Sequence, residues 1–298
     1  MSVIEPHIEL KNGDCLEVMK SIANKSVDMI LCDLPYGITA IEWDKPIPFI
    51  PMWEQYERII KDNGVIVLFS AQPFTTDLIV SNRKLFRYEI IWKKSQPQGF
   101  LNANKCPLRN HENILVFYKK LPTYNPIKSK IQTENFGRVR KVNAMRSQQY
   151  REMDRTTYTE TGKRYPTDVI EFSNWNGGGF GNTDREVTKH PTQKPIDLCE
   201  YLISTYSNPG DVVLDNCMGS GSVGIACFNL NRNFIGIEIS PEYFALAETR
   251  IKNTMMQLRL FGLQDTPENP NYQPSVIVPL NTKESELLQI CKEDNENQ

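Results

Sequence analysis

The chain has no long apolar run, no paired cysteine motif and only 3 histidines. Its best apolar run, residues 65–71, is far shorter than the ~20 residues that span a bilayer, so we expect no membrane partner. The 7 cysteines are scattered without a CxxC pair, which argues against a disulfide framework and a zinc site. We therefore expect reduced thiols and no metal. We also expect a cytoplasmic protein, because Glu5, Glu9 and Lys11 precede any apolar block and do not suggest a signal peptide.

The chain does have enough apolar residues to build a core. It contains 298 residues, of which 40% are hydrophobic and 10% aromatic. A largely disordered chain is therefore excluded, and the length predicts one large domain or one domain with an insertion.

Charge is distributed unevenly along the sequence. The formal net charge is only -2, but the segment from Arg83 to Tyr165 contains 19 basic and 6 acidic residues, a net of +13. Such an excess is typical of a polyanion-binding segment, although it also fits a solvated basic face. Aromatic residues are interleaved with the basic ones: Phe86, Tyr88, Trp92, Phe100, Tyr124, Phe136, Tyr150, Tyr158 and Tyr165.

Strand-length apolar runs alternate with helical patterns on both sides of a polar middle. This predicts an α/β fold with a doubly wound, mostly parallel sheet and an insertion. The predicted segments are an N-terminal catalytic part (1–120), an insertion (121–189), a C-terminal catalytic part (190–262) and a loosely packed acidic tail (263–298). Ligands in such sheets bind at the carboxyl ends of the strands. The polar residues at those predicted ends are Asp14, Asp33, Asp215 and Glu238.

A glycine-rich loop follows one of the predicted strands. Gly219, Gly221 and Gly224 have the spacing GxGxxG and open a helix, and Glu238 ends the next strand. Glycines allow a ligand to approach the backbone, and the carboxylate can accept hydrogen bonds from two ribose hydroxyls. Both NAD and S-adenosylmethionine fit this pattern. Only one strand follows the loop, which favours a sheet completed by N-terminal strands, with the strand that ends at Asp33 beside the glycine-loop strand.

The tetrapeptide Asp33-Leu34-Pro35-Tyr36 stands at a predicted strand end. A carboxylate and a backbone carbonyl there could accept both protons of a planar exocyclic amine while the tyrosine ring stacks on the base. Pro35 stiffens the turn. A methyl donor on the opposite side would then allow in-line transfer, and a base in a duplex would first have to be flipped out. The tetrapeptide alone also fits an ordinary strand-to-loop turn.

Three segments together resemble the beta group of DNA amino-methyltransferases. Residues 33–36 resemble the catalytic motif, residues 215–222 the S-adenosylmethionine loop, and residues 190–195 (HPTQKP) the segment that precedes this loop. The resemblance covers about residues 8–258, and the motif order is that of the beta group. It implies a Rossmann-like methyltransferase sheet with circularly permuted motif order and a target-recognition region at about 121–189.

The resemblance also implies a role for each matched residue. Asp33, Leu34, Pro35 and Tyr36 would bind and orient the target amine, and Lys194 would meet the carboxylate of the cofactor. The expected cofactor contacts are Asp215, Gly219, Ser220, Gly221 and Ser222 on the methionine side, Glu238 at the ribose, and Asp14 with Cys15 at the adenine. Asp14 equally fits a helix cap. A lone histidine, His111, is interpreted as structural.

Three positions depart from the family pattern. Asn216-Cys217 replaces the common Pro-Phe after Asp215, and Leu34 replaces a proline. Aspartate at the first catalytic position is typical of adenine N6 methylation, and cytosine N4 methylation is the alternative. A catalytically inactive nucleic-acid-binding protein on the same fold is a second alternative, and an oxidoreductase is disfavoured by the motif order. The expected partner is double-stranded DNA, and the resemblance allows a homodimer and a cognate restriction endonuclease.

Overall fold

The computed structural model describes residues 5–37, 45–130, 136–142, 156–174 and 193–261. The chain divides into two units, residues 1–264 and 265–298, and everything described here belongs to the first. The predicted tail at 263–298 and His190 of the HPTQKP segment lie outside the described residues. None of the described helices is long and apolar enough to cross a bilayer.

The described chain contains six α-helices and twelve strands. The helices are α1 (Cys15–Met19), α2 (Phe49–Ile59), α3 (Phe74–Ser81), α4 (Ile196–Tyr206), α5 (Ser222–Asn229) and α6 (Pro241–Phe261). The strands are β1 (Ile8–Asn12), β2 (Val27–Asp33), β3 (Ile60–Ser70), β4 (Phe86–Gln98), β5 (Arg109–Phe117), β6 (Ser129–Lys130), β7 (Val139–Val142), β8 (Thr156–Thr159), β9 (Lys163–Arg164), β10 (Val169–Phe172), β11 (Val212–Asp215) and β12 (Asn233–Glu238).

Eight of these strands form one sheet in the order β1-β12-β11-β2-β3-β5-β4-β10, and β6 with β9 and β7 with β8 form two small antiparallel pairs. Within the large sheet only β5 runs antiparallel to its neighbours. The predicted α/β class is confirmed. The predicted pairing of the strand that ends at Asp33 with the glycine-loop strand is also confirmed, because β11 pairs parallel with β2.

The sheet is buried on both faces, which explains its nearly continuous apolar strands. In β2, Met29 and Leu31 belong to the core under α4, α5 and α6, whereas Ile30 and Cys32 belong to the core under α1, α2 and α3. This alternation follows from the two-residue period of a strand. The two cores hold the sheet rigid, and they place its carboxyl edge at the surface where the loops emerge.

Two elements differ from the sequence prediction. The sequence did not predict α3, whose residues FTTDLIVS read equally well as a strand. It also did not predict β10, which lies inside the proposed 121–189 insertion but pairs parallel with β4 in the main sheet. Ile170 of β10 is buried, and the indole N–H of Trp92 donates to the carbonyl of Phe172 at 3.0 Å. The end of the insertion therefore contributes to the sheet itself.

The third glycine of the GxGxxG spacing is required by packing. A Cβ at Gly224 in α5 would lie 2.6 Å from Ile251 Cδ1 and 2.8 Å from Phe234 Cε1. We expect Gly224→Ala to lower the free energy of unfolding by about 1–3 kcal/mol, measured by urea denaturation. Ile251→Val removes the clashing Cδ1, so the double variant should lose clearly less stability than the sum of the two single changes. Strictly additive losses would contradict this packing explanation.

Candidate active site

Three predicted site residues end strands that are neighbours in the sheet, and Asp14 follows the next strand along. Glu238 ends β12 and Asp215 ends β11, with Asp33 at the end of β2. Asn12 ends β1 and is in register with Glu238. Because these strands are parallel, their carboxyl ends meet at one edge of the sheet. The sheet order therefore brings together residues more than 200 positions apart.

The glycine loop that follows β11 is fixed by its neighbours. Gly219 and Gly221 have φ values of 51° and 80°, in the left-handed region that favours glycine. The N–H of Gly219 donates to Glu238 Oε2 at 2.9 Å, and the guanidinium of Arg250 donates to the carbonyl of Ser220. The glycine loop continues directly into α5, which begins at Ser222.

Glu238 is buried, and both of its carboxylate oxygens accept backbone N–H groups. Oε2 accepts from Gly219, and Oε1 accepts from Ser240 at 2.8 Å. Each oxygen retains a lone pair for a further donor. The predicted ribose contact stays a prediction, and the geometry leaves the carboxylate able to make it.

Asp215 is 3% exposed and lies at the base of the loop. Burial raises the pKa of its carboxyl to about 7, against the effect of the Cys217 backbone N–H, which donates to Oδ1 at 3.1 Å. The hydroxyl of Ser222 is buried without a hydrogen-bond partner in the part of the chain described. A buried carboxyl group and an unpartnered hydroxyl beside a glycine loop suit the polar end of a small-molecule cofactor.

Asn216 and Cys217, which depart from the family pattern, connect this loop to the core. Asn216 is buried, and its Oδ1 accepts a hydrogen bond from the Tyr56 hydroxyl at 2.6 Å. Cys217 and Cys15 pack against the core that contains Cys32, and the neighbouring thiols of Cys15 and Cys32 raise the pKa of Cys217. The position occupied by an aromatic ring in the family pattern is thus part of a thiol cluster here.

Asp14 caps α1, as one of its two interpretations predicted. Its Oδ1 accepts from the backbone N–H groups of Leu16 at 2.8 Å and Glu17 at 3.3 Å. The preceding Gly13 donates its N–H to the carbonyl of Glu238 at 2.9 Å, which holds the start of α1 beside β12. The role of Asp14 and Cys15 at an adenine stays a prediction.

Asp33 is bound by two donors at the end of β2. Tyr36 donates its hydroxyl to Oδ1 at 2.8 Å, and Lys194 donates to Oδ2 at 2.6 Å. The Asp33 side chain remains 26% exposed. Since an ionised carboxylate has about four acceptor positions, a further donor could still reach it from solvent. Burial raises the pKa of Asp33, and Lys194 offsets part of this shift.

Lys194 also lies 3.3 Å from Glu112 Oε2, an ion pair that lacks hydrogen-bond geometry. The other oxygen of Glu112 accepts a hydrogen bond from Lys94. Burial opposes the charge on Glu112, but Lys194 and Lys94 together hold the pKa of this carboxyl below its usual value. Burial likewise opposes the charge on Lys194, whose pKa Asp33 and Glu112 raise.

Aromatic rings form one wall beside Asp33. The ring of Tyr36 stacks on Phe74 with centroids 5.2 Å apart, and Lys194 Nζ lies 5.1 Å from the centroid of Phe69. The side chain of Leu34 is buried in the core, so this position can act on a ligand only through its backbone. That placement explains why leucine is tolerated where the family pattern has proline.

Sequence reasoning missed Glu112 and Phe74. Glu112 stands one residue after His111, and strand alternation puts the two on opposite faces of β5; His111 is exposed. An acidic residue entering the apolar run Ile114–Phe117 was the available signal. Phe74 belongs to the unpredicted α3. Lys194 lies against Asp33 and Glu112, and its expected contact with a cofactor carboxylate stays a prediction.

Comparison with known proteins identifies the family. The profile of the N6/N4 family described as DNA methylase matches residues 27–249. The chain belongs to this family of DNA methylases.

Curated relatives agree with this membership. The Type II methyltransferase M.HpaI of Haemophilus parainfluenzae is 29% identical over 251 residues, which cover 80% of this chain and 72% of the relative. M1.MboII of Moraxella bovis, also a Type II methyltransferase, is 28% identical over 242 residues, or 77% of this chain and 91% of the relative. The DNA adenine methyltransferase YhdJ of Escherichia coli K12 is 29% identical over 252 residues, covering 80% and 81%.

Solved structures share the fold. The M1.HpyAVI–SAM complex has a TM-score of 0.53 and 26% identity, and the alignment covers 82% of this chain and 99% of that one. The cytosine-N4-specific PvuII DNA methyltransferase has a TM-score of 0.58 at 15% identity, covering 88% and 96%, and supports the fold alone. The methyl donor of this methylase family is S-adenosylmethionine, as the sequence predicted. The described residues contain no cluster of three or more His, Cys, Asp or Glu arranged to hold a metal ion.

The raised pKa of Asp215 predicts a pH-dependent cost to stability. Its folded pKa, about 7, lies above the usual value, so the stability that the neutral carboxyl provides is lost as the pH rises towards 7. Relative to the wild type, Asp215→Asn should therefore gain roughly 2–4 kcal/mol of unfolding free energy between pH 4 and pH 8. Urea denaturation of the ligand-free protein at several pH values measures this gain.

A surface carboxylate provides a control whose pKa shifts in the opposite direction. Hydrogen bonds from Lys120 and Lys25 hold the pKa of Asp62 below its usual value. Because a lowered pKa changes stability only below the usual value of about 4, Asp62→Asn should differ from the wild type by a nearly constant amount between pH 4 and pH 8, where Asp215→Asn gains stability. If the stability difference between Asp215→Asn and the wild type is the same at every pH, the pKa of Asp215 is not raised in the folded protein.

Proposed function

We propose that this protein is a site-specific DNA methyltransferase that transfers a methyl group from S-adenosylmethionine to the N6 amino group of a flipped-out adenine. One observation carries the proposal: Asp33, a partly exposed carboxylate, lies at the same sheet edge as the glycine loop, on the strand next to it. This arrangement offers a site for an amine beside a site for a methyl donor.

The target amine would bind at the residues that follow β2. One carboxylate oxygen of Asp33 would accept one amine N–H, and the backbone carbonyl of Leu34 would accept the other. Tyr36, which is hydrogen-bonded to Asp33 and stacked on Phe74, would present its ring to the base. These acceptors orient the nitrogen lone pair away from the base plane, so positioning supplies much of the catalysis.

S-Adenosylmethionine supplies a methyl group activated by the sulfonium charge. With the cofactor held at the glycine loop, the amine nitrogen bound at Asp33 would form the new C–N bond with its lone pair as the S–C bond breaks, and the S–C electron pair would stay on sulfur. The nitrogen then carries the positive charge and releases a proton along its hydrogen bond to Asp33, which returns the proton to solvent. The products are a methylated amine, S-adenosylhomocysteine and one proton.

Cofactor binding is proposed for the three strand ends beside Asp33. Asp215 and the loop from Gly219 to Ser222 would hold the methionine part, and Glu238 the ribose. Asp14 and Cys15, at the start of α1, would contact the adenine. The unpartnered hydroxyl of Ser222 and the buried carboxyl of Asp215 support this placement, since both lack full compensation for their burial.

Adenine is the proposed base for two reasons. Aspartate opens the catalytic tetrapeptide, and the relative YhdJ is named a DNA adenine methyltransferase. Cytosine N4 is the second candidate, because the family includes both chemistries and PvuII methyltransferase has the same fold. The acceptor geometry at Asp33 suits either exocyclic amine, so the identity of the modified base decides between them.

Double-stranded DNA is the proposed partner of the basic segment. In residues 121–189, the proposed target-recognition region, Lys128 Nζ lies 4.1 Å from the centroid of the Tyr165 ring, and both are on the short strands or next to them. Relatives named Type II methyltransferases support a role beside a cognate restriction endonuclease. A homodimer remains compatible with the proposal.

Methylation should depend on the Asp33 carboxylate. DNA from cells that express the wild type should carry N6-methyladenine at one short sequence motif, detected by modification-sensitive sequencing. Asp33→Ala should lower methylation at least ~100-fold, because it removes an acceptor for the target amine, while binding of S-adenosylmethionine stays within a few fold.

Asp62→Asn at the opposite end of the sheet is the matched control and should methylate like the wild type. N4-methylcytosine in place of N6-methyladenine would retain the mechanism and change the base. Equal methylation by wild type and Asp33→Ala would refute the assignment of the site.

DNA affinity should depend steeply on salt. A segment with a net charge of +13 displaces counterions from phosphates, so the logarithm of the binding constant should fall linearly with the logarithm of salt concentration. Fluorescence anisotropy with a duplex at 50–300 mM NaCl measures the slope. Replacing both Lys128 and Lys130 by Gln should make the slope less steep by roughly 1–2 units. A slope near zero in the wild type would argue against DNA binding by this segment.

A further inference from the structure

Four charged side chains form a line that leads from the proposed target pocket into the protein. Lys194 lies 2.6 Å from Asp33 Oδ2 and 3.3 Å from Glu112 Oε2, and Lys94 binds the other oxygen of Glu112. Lys94 also donates to Gln98 Oε1 at 2.8 Å. Of the four, Glu112 and Lys94 belong to no motif that the sequence analysis recognised.

The inner members of the line are withdrawn from water. The side chains of Lys94, Lys194 and Glu112 are only 4%, 10% and 14% exposed. The removal of ions from water opposes folding, and apolar side chains of similar volume often stabilise a fold as well or better. The ion pair of Lys94 and Glu112 therefore adds little to the stability of the fold. Its connection to Asp33 through Lys194 points to a functional role.

The adjacent residue of β4 shows the contrast. Lys93 lies on the opposite face of the strand and pairs with Glu171 at 2.6 Å, where both side chains are exposed by 40% or more. This pair has the same chemistry and shares strand β4, but it joins β4 to β10 rather than to β5 and lies away from Asp33. It supplies a matched control for the buried pair.

Charge balance indicates what Glu112 does. Lys194 faces two carboxylates, Asp33 on one side and Glu112 on the other. Without Glu112, the full charge of Lys194 would act on Asp33, and Lys94 would be left as a second uncompensated cation nearby. With Glu112 in place, the four groups are neutral together, and Asp33 is bound by Lys194 without being neutralised completely.

We infer that Glu112, fixed by Lys94, is a positioning residue for the proposed methyl transfer: it holds Lys194 against Asp33 and limits its pull, so that Asp33 remains an effective acceptor for the target amine and its proton. Glu112 touches neither the target nor the cofactor in this scheme. The inference rests on the proposed function, because it assigns Asp33 the role of acceptor.

The sign of the effect follows from the groups around Asp33. The titratable and charged groups that face it are Lys194, Lys94, Glu112, Tyr36, Cys32, Cys199 and Asp215. Burial and Glu112 raise the pKa of Asp33, and Lys194 lowers it. Since the acceptor must be ionised, activity is lost as the pH falls through this pKa.

The test compares single variants with opposite charge changes. Glu112→Gln removes a negative charge and should move the acidic limb of the kcat profile to lower pH by about 0.5–1.5 units, with a plateau kcat reduced about 10-fold or more because Asp33 is a weaker acceptor. Lys94→Met removes a positive charge and should move the limb to higher pH. Glu171→Gln should leave both limb and plateau as in the wild type.

The double variant separates electrostatics from structural damage. Glu112→Gln with Lys94→Met removes one charge of each sign, so its acidic limb should return towards that of the wild type. Damage to packing would instead give the double variant the lowest kcat of the three variants, and its acidic limb would stay where Glu112→Gln had moved it. If Glu112→Gln alone folds poorly, the double variant can still be compared with Lys94→Met, because the paired change leaves no buried cation unpaired.

A second measurement does not depend on methylation. In protein labelled with 13C at aspartate carboxyls, the Asp33 signal, assigned by its loss in Asp33→Asn, should titrate at lower pH in Glu112→Gln and at higher pH in Lys94→Met. An unchanged Asp33 titration in both variants would overturn the inference, whether or not DNA is methylated. Absence of methylation by the wild type, with shifted Asp33 titrations, would instead contradict the proposed function and leave the coupling established.

Discussion

The parallel pairing of β11 with β2 is the constraint on which the site depends. Val213 and Leu214 lie in register with Met29 and Ile30, so two segments almost 200 residues apart become neighbouring strands. The glycine loop and the Asp33 tetrapeptide both leave the sheet at this junction. A cofactor and a target amine could therefore be brought together without any movement of one domain over another, since both would bind to loops of a single rigid sheet.

Burial gives the charges at this edge their influence. Asp33, Asp215 and Glu238 end adjacent strands, but the protein treats each carboxyl group differently. Glu238 accepts two backbone N–H groups, Asp215 is left with little compensation and a raised pKa, and Asp33 is bound to a lysine. Three similar side chains thus become a fixed hydrogen-bond acceptor, a group poised near neutral pH and a partly exposed acceptor, through differences in their neighbours alone.

The sequence predicted the parts of the site that are local along the chain. Asp33, Asp215 and Glu238 each follow an apolar strand, so periodicity and turn residues were sufficient to place them at one edge. Glu112 and Phe74 could not be found in this way, because their importance arises from the register between β5 and β4 and from the position of α3. Lys194 was assigned to the site, but its two carboxylate partners come from other segments and no local pattern reveals them. The strand β10 was missed for a similar reason, since four residues carry too little periodicity until β4 is present beside them.

The connectivity of the sheet has a consequence for how the protein reaches its native state. Among the described strands, β1 lies at one edge of the sheet and pairs with β12 alone, whose residues follow it by more than 220 positions. During synthesis, β1 and the β11-facing edge of β2 remain without strand partners until nearly the whole catalytic part has left the ribosome. Chains dominated by such distant pairings fold slowly and expose strand edges that can aggregate. The arrangement that assembles the site from distant segments therefore makes folding depend on the synthesis of β11 and β12.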